Sequence, residues 1–178
     1  MVVYSADEFL NLYDYEYIKD EINKVISGVF NYSTVYDTVS DVIKENGYIG
    51  YLTLNNQIVA CGFGKDDTST ASKYKTMYIH TFGVHSDYRG MGLCQQIVAE
   101  YIKRFGKEYI LYLSVRTEKG NENKSAIKCY EKNGFIMLPE VYRDHYDGKN
   151  NAMIRLPTNS KNSIRSRRRR KNTRNKRK

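Results

Sequence analysis

The sequence predicts a mixed α/β domain followed by a disordered basic tail. Strand-like runs rich in Val, Ile and Tyr alternate with runs whose apolar residues recur at helical spacing. A chain of 178 residues with 40% apolar content can bury the core of one domain. The net charge of +9 lies in the tail, because the first 160 residues hold 18 basic and 20 acidic residues. We therefore place a domain at residues 1–157 and an Arg/Lys-rich tail at residues 158–178.

The segments in order support this fold class. Residues 5–26 predict one or two helices with Ser5 as N-cap, and residues 47–65 predict an antiparallel hairpin that turns at Asn55-Asn56. Residues 75–84 predict a strand, residues 93–106 a helix, and residues 109–115 a strand so apolar that we expect both its faces to be buried. A short helix over residues 123–133 and two strands, FIMLP and NAMIRLP, complete the domain.

Several classes of protein are disfavoured. There is no run of 18 apolar residues, and the N-terminus carries acids instead of a basic, apolar signal, so we expect an intracellular protein without a membrane span. Cys61, Cys94 and Cys129 are odd in number and form no C-x-x-C pair. We therefore expect all three cysteines to be reduced, and no metal site.

A glycine turn gives the first chemical signal. The run Tyr88-Arg89-Gly90-Met91-Gly92 joins a strand to a helix, where unpaired backbone N–H groups and the helix dipole favour a bound phosphate. The run lacks the Gly-Lys-Ser/Thr ending of a nucleoside triphosphate loop, and Gln95 replaces the third glycine of a dinucleotide motif. An ordinary tight turn before a helix is the structural alternative.

A second signal lies in NKSAIKCYEKNGF, residues 123–135. Asn123, Ala126 and Tyr130 have spacings i, i+3 and i+7, which place them on one helix face. That face offers an amide for hydrogen bonding, a small residue that leaves space, and a phenol that can donate a proton. A buried core tyrosine is the structural alternative for Tyr130.

Together these two motifs resemble the GNAT superfamily of N-acetyltransferases. The family's acetyl-CoA signature is Gln/Arg-x-x-Gly-x-Gly/Ala, and its last motif commonly reads Asn-x-x-Ala-x-x-x-Tyr-x-x-x-Gly-Phe, which residues 123–135 match. The resemblance implies a twisted, largely antiparallel central sheet flanked by helices, with a splayed strand pair that holds acetyl-CoA as co-substrate. One position departs from the signature, because Asp87 stands where the family has Gln or Arg. Since a carboxylate would repel the pyrophosphate, we expect Asp87 to face the helix N-terminus and solvent.

The resemblance also implies roles for individual residues. Tyr130 would protonate or hydrogen-bond the leaving thiolate of CoA, and Asn123 would contact the pantetheine arm. The pantetheine would lie in the gap between the strand end at residues 82–84 and residues 113–115, with the pyrophosphate on the glycine turn. The implied cofactor-binding residues are Phe82, Gly83, Val84, Arg89, Gly90, Met91, Gly92, Leu93 and Asn123.

The general base is predicted less directly. His80 is the leading candidate, because it lies two residues before Phe82 on the strand that would line the acetyl group and can accept a proton near neutral pH. A hydrogen-bonded structural histidine is the alternative. Tyr78 shares its strand face and could hold a relay water, whereas His85 in the turn and His145 in a substrate loop have weaker claims.

The sequence leaves the acceptor open. We predict direct transfer of an acetyl group to a primary amine, which could belong to a small amine or polyamine, or to a protein. Acids and tyrosines in the first helices suit a cationic amine, although a solvated helix face with aromatic core contacts explains them better. The alternative function is a module that binds nucleic acid nonspecifically through residues 161–178 on a degenerate scaffold. The same tail could instead be a nuclear address for an otherwise cytoplasmic protein.

Overall fold

A computed structural model describes residues 2–30, 38–117, 123–143 and 149–158. In this part of the chain, seven strands and five α-helices follow one another in the order predicted for a mixed α/β domain. The strands are β1 (Val2–Ser5), β2 (Tyr48–Leu54), β3 (Gln57–Asp66), β4 (Lys75–Val84), β5 (Tyr109–Arg116), β6 (Ile136–Arg143) and β7 (Lys149–Arg155). The helices are α1 (Ala6–Leu10), α2 (Tyr15–Val29), α3 (Val39–Lys44), α4 (Leu93–Phe105) and α5 (Lys124–Lys132).

The strands form one twisted sheet with helices against both faces. Their order across the sheet is β1-β2-β3-β4-β5-β7-β6. All neighbouring pairs among the described strands are antiparallel except β4 and β5, which run parallel. The helix α4 forms the connection between these two strands, as parallel pairing requires. The predicted fold class is confirmed.

Local sequence signals explain where these elements begin and turn. Ser5 caps α1 in a capping box: its hydroxyl accepts from the Glu8 N–H, and the Glu8 carboxylate accepts from the Ser5 N–H. Asn55 and Asn56 have φ angles of 50° and 62°, which form the predicted tight turn between β2 and β3. Two elements were not predicted, the edge strand β1 and the short helix α3, because neither is long enough to show a clear apolar period.

The core has one half on each side of the sheet. One half packs α4 and α5 against the sheet around the buried Tyr101, whose hydroxyl donates to the Gly62 carbonyl at 2.8 Å. The other half packs α1, α2 and α3 against the opposite face around Phe9, Ile22 and Phe63. Substrates can therefore reach the sheet only where strands separate or loops leave an opening.

The expectation for β5 is wrong. Only alternate residues, Leu111, Leu113 and Val115, are fully buried, while the intervening residues are half-buried. The physical reason is that the second face carries Tyr112, whose hydroxyl donates to the Asp67 carboxylate at an exposed edge. A tyrosine needs such a partner for its polar end, even in a run that is otherwise apolar.

The cysteines differ from their predicted state. Cys94 in the first turn of α4 and Cys129 in α5 form a disulfide, with their Cα atoms 6.4 Å apart. The prediction that all three cysteines are reduced is therefore wrong for this pair, and only Cys61, which is buried, has a free thiol. The fold brings Cys94 and Cys129 together across a separation of 35 residues, which no local spacing indicates.

Two further predictions fall largely on undescribed residues. The basic tail, apart from Thr158, and its role lie outside the described residues, so the boundary at residue 157 stays a prediction. His145 lies outside them as well. Among the described helices, none is long and apolar enough to cross a membrane.

Candidate active site

The site begins where β4 and β5 separate. The two strands pair from Lys75 and Tyr109 as far as Tyr78 and Tyr112. Beyond that point β4 continues against β3, and β5 continues against β7, without pairing to each other. The predicted splay is therefore present, and it opens a gap between the two strands.

A bulge in β4 divides the side chains at this gap between the two faces of the sheet. Phe63 of β3 pairs with His80 of β4, and Cys61 pairs with Gly83. Between these two pairs β3 has one residue, Gly62, whereas β4 has two, so β4 holds one extra residue. Thr81 takes a φ angle of 53°, a left-handed conformation that is uncommon for a β-branched residue. Regular alternation would place His80 and Phe82 on the same face, but the bulge separates them.

The contacts of these two residues show the separation. The His80 ring lies 6.0 Å from the ring of Phe63, on the face covered by α1, α2 and α3. The Phe82 ring lies 6.0 Å from the rings of both Tyr101 and Tyr130, on the face covered by α4 and α5. His80 and Tyr130 therefore approach the gap from opposite sides of the sheet.

On the α4 side, a cleft of about 560 Å³ joins the two sequence motifs. It runs from the glycine turn, along the end of β4, to the exposed face of α5. Its lining residues include Phe82, Val84, Arg89, Gly90, Gly92, Leu93, Asn123, Ala126 and Tyr130, together with both disulfide cysteines. Of the predicted cofactor-binding residues, Gly83 and Met91 do not line this cleft; Gly83 is buried toward Val25, and Met91 is exposed.

The glycine turn has the geometry of an anion cradle. Gly90 and Gly92 have φ angles of 82° and 76°, and no other group lies within 4 Å of where a Cβ would be at either position. The first N–H groups of an α-helix have no partner within the helix, and the residues that carry them in α4, Leu93 to Gln95, line the cleft. The Arg89 side chain is exposed, and its Nε donates to the Val84 carbonyl at 3.4 Å.

Asp87 is directed away from this cradle. Its side chain is 78% exposed and accepts a hydrogen bond from the Ser86 hydroxyl at 3.0 Å. The predicted exposure to solvent is confirmed, but the hydrogen bonds of Asp87 go to the preceding turn, where its N–H donates to His85 Nδ1, and not to α4. An exposed carboxylate is well screened by water, so it opposes a bound anion only weakly.

Tyr130 lies at the inner end of the cleft. It is 6% exposed and packs between Phe82 and Phe135. Burial, with a smaller contribution from the nearby Tyr78, raises the pKa of Tyr130 well above its ordinary range. The phenol therefore keeps its proton at neutral pH, as a proton donor must.

Asn123 differs in detail from the expectation. It is the N-cap of α5 and not a residue within the helix, and its side-chain oxygen accepts from the Ala126 N–H at 3.2 Å and from the Ser125 hydroxyl at 3.1 Å. The side chain still lines the cleft beside Ala126. The amide nitrogen is the atom with which Asn123 would contact a ligand.

The opposite side of the gap is aromatic. The rings of Tyr78 and His80 stack with centroids 5.1 Å apart and an interplanar angle of 9°. The ring of Tyr112 stacks on the other side of Tyr78 at 5.0 Å. His80 Nδ1 lies 3.0 Å from the Thr81 hydroxyl, which fixes the orientation of the imidazole. The predicted shared face of Tyr78 and His80 is present, whereas Tyr112 was not recognised from the sequence.

The remaining titratable residues give less support for a metal site or an acidic surface that binds the acceptor. Among the described residues, no group of three or more His, Cys, Asp or Glu side chains could hold a metal ion. The predicted acidic surface of the first helices is partly neutralised, because Glu8 pairs with Arg104 at 2.8 Å and Glu16 pairs with Lys19. Tyr13 and Tyr17 remain largely exposed there.

Comparisons with known proteins agree with this geometry. N-alpha-acetyltransferase 30 from Saccharomyces cerevisiae is 30% identical over 89 residues, an alignment that covers 50% of this chain and 49% of the yeast protein. Two solved structures superpose over most of the chain. The NatC complex bound to a Gag peptide and CoA gives a TM-score of 0.61 at 21% identity, covering 88% of this chain and 99% of that one.

The second structure is Arabidopsis thaliana Naa50 in complex with the bisubstrate analogue CoA-Ac-MVNAL. It gives a TM-score of 0.60 at 20% identity and covers 87% of this chain and 99% of the Naa50 chain. At these identities the two structures establish the fold. Residues 12–135, which include both sequence motifs, match the family described as the acetyltransferase (GNAT) family. The chain belongs to this family of acetyl-CoA-dependent acyltransferases, which confirms the enzyme class and the co-substrate that its motifs predict.

Proposed function

We propose that this protein transfers an acetyl group from acetyl-CoA to the α-amino group at the N-terminus of a protein or peptide. The observation that carries the proposal is the gap between β4 and β5, which a cofactor cleft meets from one side and an aromatic, histidine-containing surface from the other. A cofactor and an extended peptide could meet in this gap.

The choice of acceptor is supported by the relatives. The yeast protein at 30% identity is an N-alpha-acetyltransferase. The NatC and Naa50 structures contain, respectively, a peptide and an analogue that joins CoA to a five-residue peptide. Polyamines and lysine side chains remain the alternatives to be tested.

In this proposal, groups that line the cleft bind the pyrophosphate and pantetheine of acetyl-CoA. The N–H groups from Gly90 to Leu93 and the α4 dipole would hold the pyrophosphate, and Arg89 would add a cation at the entrance. The pantetheine would pass along the end of β4 that no longer pairs with β5, from Phe82 to Val84, with Asn123 on its other side. Acetyl-CoA supplies the activated thioester at the gap.

His80 and Tyr130 carry the proton transfers in this proposal. An amine must lose a proton before or as it attacks, and His80 accepts that proton directly or through a water molecule held near Tyr78. The nitrogen then forms its bond to the acetyl carbon, and the carbon–sulfur bond breaks. Tyr130, buried and protonated, donates its proton to the departing sulfur. The transfer is direct, within one ternary complex, and needs no acetylated cysteine.

The test is a transfer assay read by mass spectrometry. The panel would contain peptides with a free N-terminus, N-terminally blocked peptides with a lysine, a polyamine and an arylalkylamine, each with Tyr130→Phe protein as a control. We expect acetylation at the free N-terminus and much slower reaction with the other amines. Preferential transfer to the lysine, polyamine or arylalkylamine would overturn the acceptor assignment. If no amine is acetylated and acetyl-CoA fails to raise the melting temperature, the enzyme assignment itself is wrong.

The nucleic-acid alternative stays a separate prediction. Residues 161–178 hold eleven basic residues and no acid, which is sufficient for salt-sensitive binding to phosphates. If this is the function of the tail, removal of residues 158–178 abolishes polynucleotide binding and leaves acetyl-CoA binding unchanged.

A further inference from the structure

The end of β3 carries two adjacent aspartates that make the same kind of contact on opposite faces of the sheet. The Asp67 carboxylate accepts from the Tyr112 hydroxyl, and the Asp66 carboxylate accepts from the Tyr109 hydroxyl at 3.1 Å. Tyr109 packs against Phe105 of α4, in the half of the core that lies away from His80. Tyr112 belongs to the aromatic stack on the His80 side.

We infer that Asp67 is a positioning residue for the proposed base, acting through Tyr112 and Tyr78. The bond from Tyr112 restrains its ring, which lies 5.0 Å from the ring of Tyr78 at an interplanar angle of 28°. Tyr78 in turn lies nearly parallel to His80. Asp67, which is exposed and does not line the cofactor cleft, therefore restrains the stack from its outer end. This inference rests on the function proposed above.

The backbone of Asp67 is well anchored for such a role. Its N–H donates to the Thr76 carbonyl at 3.0 Å, and its own carbonyl accepts from the Thr76 hydroxyl at 2.7 Å. Both bonds tie the end of β3 to β4, one turn of the pleat before Tyr78. The carboxylate is thus held relative to the strand that carries His80, and it transmits that position to β5 through Tyr112.

The geometry also explains why the contact would matter for rate more than for affinity. The three residues of the stack, Tyr78, His80 and Tyr112, do not line the cleft, so a looser stack leaves the glycine turn and its anion-binding groups in place. A small misplacement of a reacting group lowers turnover, because the reaction depends on orientation at the moment of proton transfer. Asp67 should therefore affect kcat and leave the KM for acetyl-CoA unchanged.

The test is a double-mutant cycle on Asp67 and Tyr112 in the full-length protein. We expect Asp67→Ala and Tyr112→Phe each to lower kcat about three- to tenfold, the range for one lost hydrogen bond at an exposed site, and the double variant to fall no further. Asp67→Asn, which keeps an acceptor oxygen at the same place, should restore most of the rate. The matched control cycle, Asp66→Ala and Tyr109→Phe, should leave kcat within about twofold.

A second readout does not depend on activity. In the proton NMR spectrum, the resonances of the His80 ring are those that disappear in the His80→Gln variant. They should carry a ring-current shift from Tyr78. Asp67→Ala should reduce that shift and Asp66→Ala should not. The inference would be overturned if the reductions in kcat from Asp67→Ala and Tyr112→Phe multiply in the double variant. It would also be overturned if Asp67→Ala leaves the His80 resonance unchanged. An inactive wild type with the expected NMR change would instead overturn only the proposed function.

Discussion

The ring of Phe82 lies directly against the backbone of Gly62 on the neighbouring strand. A Cβ at Gly62 would stand 2.5 Å from both Cδ1 and Cε1 of Phe82, which is closer than real carbon atoms approach. Because Phe82 also packs against Tyr130, the absence of a side chain at Gly62 allows Phe82 to hold the proposed acid in position.

This contact predicts the effect of Gly62→Ala. The methyl group must displace the Phe82 ring, which should cost about 1–3 kcal/mol of unfolding free energy and weaken acetyl-CoA binding. Urea unfolding and calorimetric titration measure the two effects. Gly28→Ala is the control: no group lies within 4 Å of that position in α2, so alanine should stabilise the helix by up to about 1 kcal/mol. A Gly62→Ala protein as stable as the wild type would show that Phe82 moves freely.

Tyr130→Phe should lower the rate about 10²-fold or more, the usual contribution of a positioned acid, with acetyl-CoA binding retained. The variant removes one oxygen and preserves the packing with Phe82 and Phe135, so the melting temperature should change little. Single-turnover kinetics with a measured acetyl-CoA affinity separate the two quantities. Unchanged turnover would remove Tyr130 from the mechanism.

The raised pKa of Tyr130 also predicts a pH dependence. In the unfolded chain the phenol ionises near pH 10, whereas burial keeps it neutral to higher pH in the folded protein. The folded state thus holds the proton more tightly, so this contribution to stability is complete below pH 10 and declines as the pH rises above it. Denaturant titrations of wild type and Tyr130→Phe between pH 8 and pH 11, compared as a difference, measure it; about equal slopes against pH would contradict the assignment.

His80→Gln should lower turnover of a peptide acceptor and leave acetyl-CoA binding unchanged. Glutamine keeps a polar group beside Thr81 but cannot accept a proton from the amine. Single-turnover kinetics with a peptide acceptor, together with a measured acetyl-CoA affinity, check this prediction. Unchanged turnover in the variant would assign the base to another group, and His85→Gln is the control outside the stack.

The disulfide predicts a thiol count and a stability difference. The denatured, unreduced protein should show one reactive thiol, from Cys61, where three would be found if all cysteines were reduced. A bridge over a separation of 35 residues restricts the unfolded chain, so reduction or the Cys94→Ala, Cys129→Ala double variant should cost about 3–4 kcal/mol.

The same double variant tests direct transfer. Because no acetyl-cysteine is required, we expect it to retain acetyl transfer at temperatures where it is folded. Cys61 is an internal control, since burial raises the pKa of its thiol to about 12 and keeps it unreactive in the native protein. A loss of activity together with an acetyl-cysteine trapped in the wild type would contradict direct transfer.

The sequence predicted the cofactor side of the site more completely than the acceptor side, for a physical reason. The glycine turn and the helix from Asn123 to Tyr130 are continuous segments, whose chemistry depends on local spacing. The aromatic stack is assembled from β4 and β5 with Asp67 at the end of β3, so only the strand register brings its members together. Tyr112 left a weak signal, as a polar-tipped residue within an apolar strand, but its partner could not be identified without the sheet order.

The bulge at Thr81 had no signal at all in the sequence. Strand periodicity places His80 and Phe82 on one face, and only the left-handed φ of Thr81 reverses this relation. The disulfide was missed for a similar reason, because Cys94 and Cys129 meet through the packing of α4 against α5.

The bulge at Thr81 affects how the two substrates would enter and leave. With the proposed roles, CoA and the polypeptide bind from opposite faces of the sheet and meet only in the gap between β4 and β5. Spent CoA can be exchanged for a fresh molecule without passing the polypeptide, and a long chain can dock without blocking the nucleotide's exit. If the proposed roles hold, the extra residue in β4 would leave the length of the acceptor unrestricted.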